Sequence, residues 1–200
     1  MAQARFNCSR RPGLRGGHGF SLIEVVISMG LLTVVSLGVA QLFAASTRSN
    51  LIARGQTSTT ALAEQKLEQL RSLTWGFDLD GTGLPVSDTT SNLAVHPPTQ
   101  AGTGLNPSPT DSLDRNIPGF VDFIDAQGEW VGTGSTPPAT AAFVRRWSIQ
   151  PLPSNPNNTL ILQVLVTPLS NEQARIVSAQ PRTRMAGDAL LVSVKTRKSS

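Results

Sequence analysis

The sequence predicts an α+β chain. One long N-terminal helix, membrane-spanning in its first half and amphipathic in its second, packs on a C-terminal antiparallel β-sheet. Three observations predict it. From Val25 to Ala45 the chain runs 21 residues without a charge. Leu62, Ala63, Leu67, Leu70 and Leu73 then recur at helical spacing. The last third holds three apolar runs of strand length, the first two separated by a turn rich in Pro and Asn.

Composition bounds the rest. The chain has 200 residues, 39% hydrophobic and 15% charged, too apolar for a disordered chain. Its 17 Gly and 14 Pro are too few for a collagen-like one. The net charge of +4 is concentrated in residues 1–19, which hold Arg5, Arg10, Arg11 and Arg15 and no acid. Removing them leaves 13 positive and 13 negative charges, so nucleic acid is not an expected partner. Cys8 is the only cysteine, which excludes an intrachain disulfide and a cysteine metal site. With no Tyr and only His18 and His96, a histidine-dependent catalytic set has almost no material. No catalytic residue, metal or cofactor is expected.

The segment Phe20 to Ser46 carries one charge, Glu24. As a helix, 21 uncharged residues reach roughly 31 Å, against about 30 Å for a hydrocarbon core. Val25, Ile27, Leu31, Val34, Leu37 and Val39 cover every face, where a soluble core helix would show a polar one. The four preceding arginines place the N-terminus in the cytoplasm by the positive-inside rule. Glu24 has two readings. It is an interfacial acid favoured by the helix dipole at the first turn, or a buried charge awaiting a cation from the same helix, another chain or a newly made N-terminus.

Residues 1–19 have no apolar region of their own and end in Gly16-Gly17-His18-Gly19, a flexible stretch that a protease can take in extended form. Gly19-Phe20-Ser21-Leu22-Ile23-Glu24-Val25-Val26-Ile27-Ser28 resembles the type IV prepilin processing motif: a Gly, a Phe, then an apolar stretch with Glu as fifth residue of the mature chain. The resemblance implies that a prepilin peptidase cuts between Gly19 and Phe20 on the cytoplasmic side and methylates the new amine of Phe20. It further implies that Glu24 pairs with that ammonium in a neighbouring subunit. At ~4 Å such a pair gains about 4 kcal/mol at an effective dielectric near 20, comparable to the cost of holding Glu24 in an apolar bundle. The competing reading is signal-peptidase cleavage near Ala44-Ala45-Ser46, which leaves Glu24 unexplained. Unlike many pilins, the run has no Pro, and Gly30 and Gly38 are its only breakers.

The expected organisation is a cleaved basic leader over 1–19, a membrane and filament-core helix over 20–45, its amphipathic continuation over 46–75 and a loop-rich head over 76–200. The helix is read as continuous from about Phe20 to Leu73, with a Glu68–Arg71 pair at i, i+3 and Gly76 as its stop. Residues 76–140 hold nine Gly and eight Pro and are expected to be mostly surface loop, apart from a short hairpin of 120–124 with 129–131. Strands are expected over 143–149, over 159–166 as the strongest, an apolar run suited to a central strand, and over 190–195. Such a sheet behind a long N-terminal helix is also what the pilin resemblance implies.

Other chemistry is weaker. Asp78-Leu79-Asp80-Gly81 begins like a calcium loop but lacks the later acids, so a turn is expected. Asp122, Asp125 and Glu129 read as solvated turn carboxylates. Arg145 and Arg146 read as charges guarding a strand edge, and Lys195, Arg197 and Lys198 as a solvated tail. Gly102-Thr103-Gly104 and Gly132-Thr133-Gly134 read as loop punctuation.

The expected role is structural: a subunit of a type IV pilus-like filament in the bacterial inner membrane, with a cytoplasmic N-terminus and a periplasmic head. Its expected partners are prepilin peptidase, other pilin subunits and a pilus or secretion assembly platform. The segment ALAEQKLEQLR is similar to minor pilins of the PilV type and to minor pseudopilins of type II secretion. Both remain open, as do a DNA-uptake pilin and a membrane-anchored periplasmic enzyme.

Overall fold

The computed structural model describes residues 19–78, 82–178 and 184–197. Helix α1 runs Leu22–Ser72, close to the expected span. It is followed by β1 (Trp75–Phe77), β2 (Pro85–Ser87), β3 (Val121–Ile124), β4 (Trp130–Gly132), β5 (Phe143–Pro151), β6 (Thr159–Pro168), α2 (Leu169–Ser178) and β7 (Ala189–Thr196). The chain divides into two compact units between Thr47 and Arg48, inside α1.

The described part of the first unit is helical from Leu22 onward and has no interior. Every described residue up to Thr47 is exposed, including Leu22, Val26, Leu32, Val35 and Phe43. This stretch lies in the apolar window long enough to cross a membrane.

The second unit is a five-stranded sheet, in the order β4-β3-β5-β6-β7 with every neighbouring pair antiparallel, and the second half of α1 packed on it. The leucine periodicity accounts for that docking. Leu62, Ala63, Leu67 and Leu70 lie on one face of the helix and meet Trp147 and Ile149 of β5 and Leu162, Val164 and Val166 of β6. These strand residues alternate along the chain and stand opposite one another in register, Trp147 to Val164 and Ile149 to Leu162. Val121, Phe123, Ala141 and Val144 form a smaller cluster on the other face of the sheet. The result is the expected α+β, pilin-like arrangement. All buried residues among those described lie between Thr59 and Ala189, so a chain beginning at Arg48 keeps the described core.

Strand β6 is interior, between β5 and β7, as its apolar run suggested. Four expectations need correction. Helix α1 ends at Ser72, and Gly76 pairs with Val86 inside a small β1–β2 hairpin. Lys195 donates to the Arg71 carbonyl in the last turn of α1, satisfying one of its free acceptors. Helix α2 was not expected at all, although Leu169, Ile176 and Val177 recur at helical spacing along it.

The fourth correction concerns the long loop. The segment 88–119 is not simply surface: Leu93, Ala94 and Leu105 are buried in the main core. Strand β3 is four residues long and β5 nine, so β3 covers β5 only as far as Arg146. Beyond it the loop satisfies the exposed edge. The Phe120 carbonyl accepts from Trp147 N–H, Ser108 N–H donates to the Ile149 carbonyl, and Ser108 Oγ accepts from Ile149 N–H at 3.0 Å. Gly102 permits this folding, because a Cβ there would lie 2.2 Å from Asn92 Cα.

The Thr167 hydroxyl is buried, and among the described residues it has no hydrogen-bond partner. Its isostere Val removes a desolvated donor without changing the volume much. Thr167→Val is therefore expected to raise stability by about 1 kcal/mol, read from urea unfolding of residues 48–200.

Candidate functional site

The residues expected to carry processing and assembly sit at the start of α1. Gly19, Phe20 and Ser21 precede the helix as exposed chain outside any regular element. The Ser21 carbonyl accepts from Glu24 N–H at 3.0 Å and from Val25 N–H at 3.2 Å, which makes Ser21 the cap residue. Glu24 is then the third helical residue, in the first turn, where the helix dipole favours a carboxylate. Ser21 and Glu24 have the spacing of a capping box, a signal the sequence reading passed over. Among the described residues the Glu24 carboxylate makes no hydrogen bond or ion pair. Phe20 is 82% exposed, and exposed large apolar side chains recur from it to Phe43 with Glu24 as the one charge among them. An exposed column of this size needs lipid or other helices around it, because in water each buried-type side chain forfeits about 1.5–3 kcal/mol.

Residues 14–40 match the family model of the prokaryotic N-terminal methylation motif. The chain carries that motif. It is consistent with a type IV prepilin-like protein and supports a pilin-like or pseudopilin subunit, with other pilin subunits and prepilin peptidase as partners in general. The motif suggests a structural subunit rather than an enzyme, and together with the apolar helix it is consistent with membrane anchoring. No curated protein and no solved structure is matched by the chain.

The head holds a second constellation, assembled from parts the sequence scatters. Lys66 of α1, Asp122 of β3 and Arg145 of β5 meet in the interior, each nearly inaccessible. Lys66 Nζ lies 2.7 Å from Asp122 Oδ2, donates to the Leu93 carbonyl at 2.6 Å, and stands 4.4 Å over the Trp147 ring. Arg145 grips both oxygens of Asp122, Nε to Oδ1 at 2.8 Å and Nη2 to Oδ2 at 2.9 Å. Its Nη1 donates to the Leu62 carbonyl and to Gln65 Oε1, both at 3.1 Å.

Three sequence expectations fall here. Asp122 is not a solvated turn acid, whereas Glu129 is exposed and Asp125 accepts from Gln127 and Glu129 N–H in the turn. Arg145 and Arg146 do not guard an edge, since β5 is the middle strand and both are buried. Arg146 points to the opposite face and pairs with Glu172 of α2 at 2.6 Å. Arg197 is not a solvated tail: it stacks 3.6 Å over Trp75 and donates to the Gly76 and Val86 carbonyls. Lys198 lies outside the described residues.

The expected Glu68–Arg71 pair is present at 3.0 Å. Asp78 accepts from Thr82 and Gly83, as a turn residue does, while Leu79, Asp80 and Gly81 lie outside the described residues. Among the described residues no group of three His, Cys, Asp or Glu side chains is placed to hold a metal. One signal for Lys66 was available in the sequence: it falls at i+4 from Leu62 and i−4 from Leu70, on the apolar stripe itself.

Burial lowers the Lys66 pKa from 10.5 to about 8, with Asp122 opposing and Arg145 adding to the fall. The folded pKa lies below the unfolded one, so between pH 8 and 10.5 the unfolded chain binds more protons. Stability from this group is therefore least below pH 8 and rises with pH across that window. Relative to Lys66→Met, residues 48–200 should gain about 2 kcal/mol between pH 7 and 10, measured by urea unfolding. The partners differ in weight. Asp122→Ala leaves two like charges buried together and should cost about 3–5 kcal/mol at pH 7. Lys66→Met leaves a neutral Arg145–Asp122 pair and should cost less than half of that. Equal losses would refute this division of roles.

Proposed function

We propose that the chain is a minor pilin of the PilV type, a structural subunit of a type IV pilus-like filament. Prepilin peptidase cuts between Gly19 and Phe20 and methylates the Phe20 amine. Residues 1–19 are the leader, and 20–45 become the membrane anchor and then the filament core. Residues 46–75 continue the helix onto the head of 76–200, which stands in the periplasm while the N-terminus is cytoplasmic. The observation that carries this reading is the methylation motif on an apolar helix whose described residues up to Thr47 are all exposed. The Glu24 carboxylate, unengaged within the described chain, pairs in this reading with the Phe20 ammonium of a neighbour, and an assembly platform extracts the subunit from the membrane. The loop-rich head favours a minor pilin; a minor pseudopilin of type II secretion shares every other feature.

Mass spectrometry of the native N-terminus tests the processing step. The expected species begins at methylated Phe20; an intact Gly19–Phe20 bond, or a new terminus near Ser46, refutes it. Glu24→Ala is expected to be cut normally but to enter filaments at least tenfold less, the weight of about 1.4 kcal/mol. The check is quantitative blotting of sheared filaments against membranes, and undiminished incorporation would remove the pairing role.

A further inference from the structure

A polar cleft of about 150 Å³ opens in the head between α1 and the β3–β4 turn. Lys66, Asp122 and Arg145 line it, together with Gln65, Gln69 and Glu129 at its sides. The three buried side chains sum to one positive charge, held where solvent cannot screen it. Arg145 has five N–H donors and the bonds described above use four, so one N–H of Nη2 remains in a side chain that borders the cleft. Glu129 also borders it, but its residue is exposed and its charge is screened by water. Burial therefore decides the sign of the site, which is positive at its floor.

We propose that this cleft is a carboxylate-binding site, taking the acid group of a small molecule or of an acidic side chain on another protein chain. The volume admits a carboxylate on two or three carbons, and the spare Arg145 N–H and the Gln69 amide supply its hydrogen bonds. Such a ligand would neutralise the excess buried charge that Asp122 alone leaves standing. The inference is independent of how the N-terminus is processed.

The full chain in detergent micelles tests it through the indole N–H signals of its tryptophans. Trp130 borders the cleft and donates to the Ala94 carbonyl at 3.0 Å, whereas Trp75 is not among its lining residues and serves as an internal control. Propionate and N-acetylglutamate amide are titrated separately at constant ionic strength, with propionamide as the uncharged control. A saturable shift of Trp130 alone, with either acid and not with propionamide, supports the site. Tighter binding of the glutamate derivative points to a protein side chain, and tighter binding of propionate to a free acid. Glu129→Gln should tighten binding about two- to fivefold by removing one exposed like charge. No saturable shift with either acid, an equal shift with propionamide, or unchanged affinity in Glu129→Gln overturns the proposal.

Discussion

Asp122 is shared by two cations, and that sharing holds the head together. Its carboxylate lies between Lys66 of α1 and Arg145 of β5, and Lys66 in turn holds the Leu93 carbonyl of the long loop. One buried acid thus ties helix, two strands and loop at a single point. The apolar contacts of Leu62, Leu67 and Leu70 supply area but tolerate sliding; a bidentate guanidinium with fixed geometry does not. The arrangement carries a charge imbalance with it, because one carboxylate cannot balance two cations. Burial lowers the pKa of Lys66, with Asp122 opposing the fall and Arg145 adding to it.

Helix α1 is built for two surroundings. Its residues from Thr59 onward bury a stripe against the sheet, while those up to Thr47 bury nothing. A soluble protein does not keep such a column of apolar side chains in water, since the hydrophobic effect removes it by collapse or association. The exposed column and the methylation motif of residues 14–40 are both consistent with membrane anchoring. Glu24 fits the same logic at its own scale. In the first turn it is favoured by the helix dipole, yet it remains the single acid at the head of a long apolar run.

The sheet shows how an uneven strand pairing shapes a loop. Because β3 begins only at Val121, opposite Arg146, it leaves the backbone groups of the far half of β5 to be satisfied by other residues. Segment 88–119 answers them with Ser108 and Phe120, and in doing so carries Leu93, Ala94 and Leu105 into the core. Segment 105–119 then lies against β5, whose outer-face Arg146 receives the Asn116 side chain. A loop rich in Gly and Pro is thus fixed by the edge it covers, not by any local pattern of its own.

Periodicity made the two large elements legible. The uncharged run from Val25, the leucines of 62–73 and the alternating residues of β5 and β6 each repeat at the period of the structure they form, and repetition is a property of one segment alone. The motif around Gly19, Phe20 and Glu24 was legible for the same reason, being contiguous. The roles of Lys66, Asp122, Arg145 and Arg146 were not, because each looks like a surface charge until its partner is known. Whether a charge is solvated or buried depends on residues 23 to 56 positions away along the chain, and only the folded sheet brings them within hydrogen-bonding distance.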